Sequence, residues 1–367
     1  MRATRGPSHH PFHPPPIDYT VQRPRKGSDL SAPRVSVIIA AFNAARYLPA
    51  TLDSVLSQTF SDFELIVVDD ASTDTTASVA LSTGDPRVRV IRLAENVGTG
   101  AARNRGLAEA RGEYIATIDA DDTSYPGRLA MQSAYLEGHP EVVLVAHAFD
   151  FVSPEGRIEG RLADIPTTDA EIRCTLLLHN PIGASTVLFR AEAARASGGY
   201  APTGTAEDYA FVLHIADLGR LAQLPDVLGT YRRHAEGLAS QQSTELRANS
   251  VTLSTSAISR FLDRDIDPAV VRAAKNEAPD GAAPETLRAG YELVRELLES
   301  CVSQRTLTEA ERAHVFDRGL RGLAATGRRA GLRLRPASDA WSIARSYVPE
   351  RLWSLKMLRF SARQILR

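Results

Sequence analysis

The chain of 367 residues has few cysteines, almost no net charge and no long hydrophobic run. Only Cys174 and Cys301 are present, and because they lie far apart in the sequence, neither a disulfide framework nor a cysteine metal site is predicted. Lys plus Arg (43) nearly balance Asp plus Glu (44), which argues against a general attraction to nucleic acid. A membrane-spanning helix needs roughly 18 to 20 apolar residues, and no stretch approaches this length. The N-terminus also lacks the apolar core of a signal peptide. We therefore expect a cytoplasmic protein.

Residues 1–33 have almost no periodic apolar positions and are rich in Pro, His, Arg and Ser. Such a segment buries too little apolar surface to offset the entropy of ordering. It is predicted to be a disordered tail.

From residue 34 to residue 240, short apolar runs alternate with segments of helical spacing. The predicted strands are 35–42, 64–70, 88–93, 114–122 and 142–149, and the predicted helices between them are 47–58, 72–82, 99–110 and 126–138. Continuous apolar runs are typical of strands that are covered on both faces, as in parallel sheets. The pattern predicts an α/β domain with a Rossmann-like, mostly parallel open sheet flanked by helices.

Residues 241–367 contain no further strand pattern and are predicted to form a helical C-terminal region. Helices are expected over 284–301 and 308–327. Thr308 and Glu311 have the spacing of a capping box at the start of the second of these.

Two of the predicted strands end in aspartates. Asp69 and Asp70 follow one strand, and Asp119, Asp121 and Asp122 follow another. In open α/β sheets, ligands bind beyond the carboxyl ends of the strands. If the backbone stays extended, Asp119 and Asp121 point to one side and Asp122 to the other. Two convergent carboxylates suit Mg²⁺ or Mn²⁺ together with substrate phosphates.

The same acidic turn has a second interpretation. Asp is a preferred N-cap residue, and the segment SYPGRLAMQ that follows resembles a helix start. Ser124 could take the cap role alone, which leaves the aspartates free. The second acidic strand end in the same sheet favours a functional site.

An ordered series of motifs resembles glycosyltransferase family 2. VSVIIAAFNAARYLPATLDSVLSQTFSDFELIVVDDASTDTT is similar to the family's opening strand, helix and second strand, and ENVGTGAARNRGLAEARGEYIATIDADD is similar to its DxD region. ASTVLFRAEAARASGGY and AEDYAFVLHIADLG resemble its acceptor-side strand and base-bearing helix. The resemblance covers about residues 34–240. It implies a GT-A fold, a nucleotide-sugar donor and an inverting mechanism.

The resemblance also implies roles for individual residues. Asp70 is expected to accept a hydrogen bond from the base of the donor, with Asp69 supporting it. Asp121 is the expected metal ligand, with Asp119 nearer the ribose and ion shell and Asp122 behind them. The remaining donor-binding candidates are Ala40, Phe42, Asn43 and Arg103.

Asp208 matches the family's general base, which removes the proton of the acceptor hydroxyl. Glu207 beside it is expected to orient the loop, or to be the base if the register is shifted. His234, in the segment YRRH, is a candidate third metal ligand or phosphate contact; a solvated loop histidine is the alternative. For Arg103, the alternative is a surface arginine.

The chain departs from the family pattern at two points. Ala40 and Ala41 stand where many members have Pro-Thr or Pro-Ser, so a hydroxyl contact to the base is missing and the donor base is not predicted. The Q-x-x-R-W segment of processive synthases is absent after Asp208, which favours a single transfer over polymerisation.

Residues 328–367 contain ten basic and two acidic residues, a formal net charge of +8, interleaved with aromatic and aliphatic side chains. Such a segment can lie on an anionic membrane surface. It can equally pack on the rest of the chain or in a dimer. Both interpretations stay open, and no oligomeric state is predicted.

The sequence therefore predicts a metal-dependent inverting glycosyltransferase that uses Mn²⁺ or Mg²⁺. It would move one sugar to a hydroxyl of a cell-surface glycan or lipid-linked acceptor, with possible peripheral contact at the inner face of the plasma membrane. The alternatives are a nucleotidyltransferase acting on sugar phosphates and a non-catalytic nucleotide-sugar-binding relative.

Overall fold

The computed structural model describes residues 18–22, 32–162, 164–201, 204–234, 244–304, 306–332 and 335–348. The chain forms two compact units, the first comprising Met1–Thr167 with Ile182–Leu246 and the second Thr168–Pro181 with Arg247–Arg367. The division differs from the boundary expected at residue 240, because a segment inside the predicted catalytic domain belongs to the helical unit.

The first unit contains a ten-stranded sheet. Its strands are β1 Tyr19–Gln22, β2 Val35–Ala41, β3 Phe63–Asp69, β4 Val88–Leu93, β5 Tyr114–Thr117, β6 Thr123–Ser124, β7 Val142–Val152, β8 Ile158–Leu162, β9 Leu188–Arg190 and β10 Arg220–Arg232. Its helices are α1 Leu48–Leu56, α2 Thr76–Ser82, α3 Thr99–Glu109, α4 Arg128–Gly138, α6 Ala191–Ala196 and α7 Glu207–Ala216; α5, Asp169–Leu176, belongs to the second unit.

The strand order is β1-β4-β3-β2-β5-β9-β7-β10-β6, with β8 beside β7. The pairs among β2, β3, β4 and β5 are parallel, as is the pair of β7 with β10. Strands β1, β6, β8 and β9 join antiparallel. The predicted α/β class with a mostly parallel sheet is confirmed. The parallel arrangement brings the carboxyl ends of β2, β3 and β5 to one edge.

The apolar runs predicted as strands fill the core. Val35, Val37 and Ile39 of β2 are almost fully buried. On α1, Leu48, Leu52 and Val55 recur at helical spacing and belong to the same apolar cluster. Burial on both faces explains why these segments read as uninterrupted apolar runs in the sequence.

One short strand lies in the segment predicted to be disordered. β1 pairs with β4, and the Tyr19 hydroxyl donates to Glu109. The guanidinium of Arg105 lies over the Tyr19 ring at 3.4 Å from its centroid. The prediction of disorder for residues 1–33 is therefore wrong for 19–22, because tertiary partners order a strand that has too little local pattern to be recognised.

A buried ionic network lies at the opposite edge of the sheet, at the start of β2 and β3. The Glu64 side chain accepts hydrogen bonds from the Ser36 hydroxyl at 2.8 Å, from Arg89 at 3.1 Å and from Arg111 at 2.8 Å. Burial opposes the charge of this carboxylate, but the hydrogen bonds outweigh it and lower the pKa of Glu64. The network is a structural feature, remote from the carboxyl ends of the strands.

The second unit is helical, as predicted for the C-terminal region. Its further helices are α8 Thr244–Leu262, α9 Pro268–Ala274, α10 Pro284–Val302, α11 Glu309–Arg329 and α12 Arg335–Tyr347. The predicted capping box is present, since Thr308 accepts from the Glu311 backbone and Glu311 accepts from the Thr308 backbone. A second capping box, Thr168 with Glu171, starts α5.

Both cysteines lie in the second unit, Cys174 on α5 and Cys301 on α10. They are 127 positions apart in the sequence. Both are free thiols. A hydrogen bond between their side chains, together with burial, raises the pKa of Cys301 well above its usual range. No disulfide was predicted and none is formed.

The described part of the basic C-terminal segment packs within the second unit. Ala340, Ile343 and Ala344 of α12 are buried, whereas Ser342 and Arg345 are exposed. These three apolar side chains are thus covered by protein, which favours the packing interpretation for this part of the segment. The rest of the aromatic and aliphatic stretch, for which the membrane and packing interpretations both stayed open, lies mainly in 349–367, outside the described residues. Among the helices of the described part, none has the length and apolarity to cross a membrane.

Candidate active site

The loops that follow β2 and β3 are tied together by side-chain hydrogen bonds. Asn43 has a positive φ of 49°. Its side-chain oxygen accepts from the Thr73 backbone amide at 2.9 Å, and its backbone amide donates to the Ser72 hydroxyl at 3.0 Å. Ala71 also has a positive φ, 57°. Two non-glycine residues in this region mark a backbone held by its surroundings, which is common at ligand sites.

Phe42 projects from the same loop with half of its surface exposed (50%). Exposure of a large aromatic ring to water forgoes the stabilisation that its burial would give, so an exposed ring at this position suggests a ligand-binding role. Ala40 lies at the end of β2 and is partly buried. A flat exposed ring beside a rigid polar loop is a surface on which a nucleobase can stack.

Asp69 and Asp70 have different partners. Asp69 is fully buried; its Oδ1 accepts from the Ser72 amide at 3.2 Å and its Oδ2 from Arg92 at 3.0 Å. Its geometry is that of a structural support for the turn. The predicted supporting role is compatible with this arrangement.

Asp70 holds the loop before α3. Its Oδ1 accepts from the Val97 amide at 2.8 Å and its Oδ2 from the Gly98 amide at 2.9 Å. Gly98 has a φ of 86°, which glycine adopts at no steric cost. Burial raises the pKa of Asp70, and the two amide hydrogen bonds oppose this effect. Each carboxylate oxygen has a second lone pair with which to accept from a ligand.

The acidic segment after β5 is a turn and not an extended strand. β5 ends at Thr117, and the Asp122 amide donates to the Asp119 carbonyl at 3.2 Å. The prediction of a strand up to residue 122 is therefore wrong, and strand alternation does not set the directions of these side chains. The carboxylates of Asp119 and Asp121 are nonetheless partly exposed (32% and 29%), whereas Asp122 is buried.

Asp122 is held by β10. Its Oδ1 accepts from the Arg232 amide at 2.7 Å, and the Arg232 Nε donates to the Asp121 carbonyl at 2.7 Å. Burial, then the charges of Asp121 and Asp119, raise the pKa of Asp122 well above its usual range. Sequence reasoning placed Asp122 behind the pair but missed Arg232, which clamps the turn.

Ser124 does not cap α4. It lies in β6, its hydroxyl accepts from the buried Arg128 guanidinium at 3.0 Å, and the helix begins only at Arg128. Gly127 is the N-cap residue and makes no side-chain cap hydrogen bond. The capping interpretation of this segment is wrong, because a two-residue strand intervenes between the acidic turn and the helix.

His234 lies against Asp121. The Nε2 atom of His234 is 2.7 Å from Oδ2 of Asp121, and the His234 ring packs on Tyr47 with centroids 5.0 Å apart. Burial and the charge of Asp119 raise the pKa of Asp121, and His234 opposes this shift. The alternative of a solvated loop histidine does not describe this side chain, which is 11% exposed.

The three predicted metal ligands are not a ready-made cluster. In the part of the chain that the structure describes, no group of three or more His, Cys, Asp or Glu side chains is arranged to hold an ion. Asp121 and His234 lie together, whereas Asp119 is bonded to Arg103 at 2.5 Å. A carboxylate and an imidazole fit a cation whose remaining ligands come from water and substrate phosphate.

Arg103 is almost fully buried and faces carboxylates. Its Nη2 donates to Asp119 and its Nη1 to Glu207 Oε1 at 3.1 Å, so the guanidinium bridges the acidic turn and the start of α7. The surface-arginine alternative is wrong. Burial opposes the charge, but the carboxylates, Asp119 foremost, raise the pKa of Arg103.

Asp208 lies in the first turn of α7, which follows Ala206 at a positive φ of 67°. Its Oδ1 accepts from the Tyr209 amide at 2.8 Å. Burial and the charge of Glu207 raise the pKa of Asp208 to about 6, and Arg103 opposes the shift. A carboxyl with a pKa near the working pH is suited to proton transfer.

Tyr231 precedes the clamping residue Arg232 in β10, and sequence reasoning assigned it no role. Burial and then the charges of Asp122, Asp119, Asp121 and Asp208 raise its pKa. The sequence signal was available in YRRH, where only the histidine was assigned a role.

The mostly parallel sheet, with the exposed Phe42 ring, the acidic turn and two carboxylates at the start of α7, agrees with the GT-A class of fold. Residues 36–194 match the family described as Glycosyl transferase family 2. The chain is 31% identical over 248 residues to an uncharacterized glycosyltransferase of Haemophilus influenzae, covering 64% of this chain and 76% of that protein. The chain belongs to glycosyltransferase family 2.

One further relative and one solved structure are informative. The chain is 29% identical over 232 residues to the Escherichia coli UDP-Glc:alpha-D-GlcNAc-diphosphoundecaprenol beta-1,3-glucosyltransferase WfaP, covering 61% of this chain and 87% of that protein. The crystal structure of S. aureus TarS 1-349 in complex with UDP-GlcNAc superposes with a TM-score of 0.56 at 18% identity, covering 82% of this chain and 91% of that chain. The likeness to TarS concerns the fold, and it confirms the GT-A prediction.

Proposed function

We propose that this glycosyltransferase moves a single sugar from a nucleotide-sugar donor to a hydroxyl of a lipid-linked or cell-surface glycan acceptor, with inversion at the anomeric carbon. The observation that carries the proposal is the Arg103 bridge, which joins the acidic turn at Asp119 to Glu207, directly beside Asp208. The bridge would hold a donor site at the acidic turn and a carboxylate base next to one another. The match to this family favours glycosyl transfer over the nucleotidyltransferase alternative.

The donor nucleotide would bind at the carboxyl ends of β2 and β3. The exposed Phe42 ring offers a stacking surface, Asn43 fixes the loop, and Asp70 is available to accept from an N–H of the base. Ala40 provides no hydroxyl at this point. The base contact therefore depends on Asp70 and on the loop backbone.

A divalent cation, Mn²⁺ or Mg²⁺, would neutralise the charge that develops on the departing diphosphate. We assign Asp121 and His234 as its protein ligands, since their Oδ2 and Nε2 atoms already lie together. Asp119 would lie near the ion and the ribose. One of its oxygens, Oδ1, accepts from Arg103, so its Oδ2 atom would make the contact. Asp122 and Arg232 would hold the turn from behind.

Asp208 would remove the proton of the acceptor hydroxyl while its oxygen attacks the anomeric carbon. This role needs the ionised carboxylate, and a pKa of about 6 leaves Asp208 mostly ionised at neutral pH while keeping it basic. Attack from the side of Asp208 would expel the diphosphate from the opposite side of the sugar, which would invert the anomeric carbon. The name of the E. coli relative, which includes a lipid diphosphate acceptor, supports the same acceptor class here.

The test is release of nucleoside diphosphate from a panel of UDP-, GDP- and dTDP-sugars with Mn²⁺ or Mg²⁺. Release from each nucleotide sugar would be measured with and without an N-acetylglucosaminyl diphospholipid as acceptor. We expect metal-dependent turnover of at least one donor, which Asp208→Asn lowers by about 10² to 10⁴ without loss of donor binding. If the protein binds nucleotide sugars but turns over none with any acceptor, it is the non-catalytic relative and the proposal is wrong.

A further inference from the structure

The guanidinium of Arg103 occupies an enclosed position on α3. Only 4% of its side chain is exposed, and both terminal nitrogens are engaged, Nη2 by Asp119 at 2.5 Å and Nη1 by Glu207 at 3.1 Å. Its Cζ also lies 5.3 Å from the centroid of the Tyr200 ring. A planar fork of this kind fixes two acceptors in a defined geometry, which a lysine ammonium does not.

The same face of α3 holds the chain that leads to α7. The Asn104 amide makes two hydrogen bonds to the backbone of Tyr200, one donated to its carbonyl and one accepted from its amide, each of 2.8 Å. Gly100 packs so closely that a Cβ atom there would lie 2.3 Å from the Ala201 carbonyl and 3.2 Å from Glu207 Cγ. Three successive contacts therefore dock α3 against the start of the base-bearing helix.

We propose that Arg103 and Glu207 form a positioning pair that locks the base-bearing helix α7 to the acidic turn, so that neither residue is the donor contact or the base. This assignment rests on the proposed glycosyl transfer. It corrects the expectation from the family resemblance for Arg103, because a nearly buried guanidinium with two carboxylate partners has little surface to offer a donor. It also selects Asp208 over Glu207 as base, since Glu207 is already committed to a cation.

The pair has an electrostatic consequence as well as a geometric one. Glu207 and Asp208 are adjacent carboxylates on one helical turn, and their repulsion disfavours ionisation of both. The guanidinium compensates the charge of Glu207. It also compensates part of the charge of Asp119, so that Asp208 can ionise beside them. The unfavourable φ of 67° at Ala206 shows that the start of α7 is held in place by its contacts and not by local preference.

Glu207→Gln and Glu207→Ala separate the possible roles. Glutamine retains an oxygen that can accept from Arg103, so kcat should fall by less than about fivefold. Alanine removes the acceptor, and kcat should fall by about 30- to 100-fold, since small displacements of a reacting group can cost about a factor of 10². The Kd of the matching nucleoside diphosphate, measured by titration calorimetry, should change less than about twofold in both.

Arg103→Lys should behave like Glu207→Ala, with a loss in kcat and an unchanged Kd for the nucleoside diphosphate. Arg105→Gln is the matched control, because Arg105 lies on the same helix but pairs with Glu109 and Tyr19. It should leave kcat and Kd unchanged. A tenfold weaker Kd with kcat retained in Arg103→Lys would make Arg103 a donor contact and overturn the proposal.

A fall in kcat in Glu207→Gln as large as that in Asp208→Asn would make Glu207 the base and also overturn the proposal. If wild-type protein turns over no donor, the proposed glycosyl transfer is wrong. A double-mutant cycle measured by thermal unfolding still tests the coupling of Arg103 and Glu207. In that cycle the Tm losses of Arg103→Lys and Glu207→Ala should be non-additive in the double variant. Additive losses would show that the two side chains are not coupled.

Discussion

The Nε2 atom of His234 lies 2.7 Å from the Oδ2 atom of Asp121, although the two residues are 113 positions apart in the chain. The contact joins the end of β10 to the acidic turn after β5. Asp119 of the same turn is hydrogen-bonded to Arg103 instead. This arrangement divides the predicted metal site into a carboxylate–imidazole pair and a carboxylate held by a cation.

His234→Ala should weaken metal activation more than it weakens nucleotide binding. We expect the Mn²⁺ concentration for half-maximal turnover to rise by at least about tenfold, because one of two proposed protein ligands is lost. Titration of Mn²⁺ at saturating donor measures this value. His139→Ala is the control, since His139 is half-exposed and packs on Tyr135 at the end of α4. An unchanged metal requirement in His234→Ala would remove His234 from the metal site.

The pH dependence of turnover should report Asp208. Its carboxylate must be ionised to accept a proton, and its pKa is raised to about 6. The value of kcat/KM should therefore fall about tenfold per pH unit below pH 6 and level off above it. Above pH 6, Asp208→Asn should lower kcat by about 10² to 10⁴, the usual contribution of a general base. Retention of the acidic limb in the residual activity of Asp208→Asn would assign that limb to another group.

Asp208→Asn should also stabilise the fold at neutral pH. A folded-state pKa raised above the unfolded value means that the folded protein holds this proton more tightly. Ionisation of Asp208 therefore costs stability as pH rises from about 4 to about 6, and the cost is complete above pH 6. At one pKa unit per 1.36 kcal/mol, the cost is at most about 3 kcal/mol.

The asparagine variant carries no such cost and can still accept from the Tyr209 amide. Urea unfolding should show it more stable than wild type at pH 8 and nearly equal at pH 4. A variant equally stable or less stable at pH 8 would show that the carboxylate of Asp208 is not strained by burial.

Much of this architecture was predictable, for a physical reason. Strands β2, β3, β4 and β7 are covered on both faces and form apolar runs that start within one residue of the predicted positions. Helix α11 carries its capping box in the local sequence. The acidic residues could be assigned to one crevice because parallel strands end at the same edge.

The rest depended on partners that are distant in sequence. β1 is ordered by β4 and Arg105, and Arg103 is turned inward by Glu207, 104 positions away. The turn at Asp119 and Asp122 replaces a strand because Arg232 of β10 clamps it. Neither periodicity nor motif spacing contains such pairings, so the carboxylates were predicted and their partners were not.

The Glu64 network predicts a stability defect without a catalytic one. Glu64→Gln leaves the buried Arg89, whose guanidinium now lies between Glu64 and Glu109, with one ionic partner fewer. Loss of one partner of a buried ion pair costs about 3 to 5 kcal/mol, and a remaining partner such as Glu109 reduces this. We expect a loss of about 2 to 4 kcal/mol in urea unfolding, with KM for the donor unchanged. A matching loss of donor affinity would show that this edge of the sheet communicates with the site.

Phe42→Ala should weaken donor binding through the base and leave the chemical step intact. Half of this ring is exposed, so its removal costs little stability, whereas stacking of a base on an aromatic side chain contributes about 1 to 3 kcal/mol. The Kd of the nucleoside diphosphate should rise by about 5- to 150-fold while kcat at saturating donor changes less than about threefold. Phe42→Tyr keeps the flat ring and should retain wild-type affinity. Equal affinity in Phe42→Ala and wild type would place the base elsewhere and leave Asp70 as the remaining candidate for its recognition.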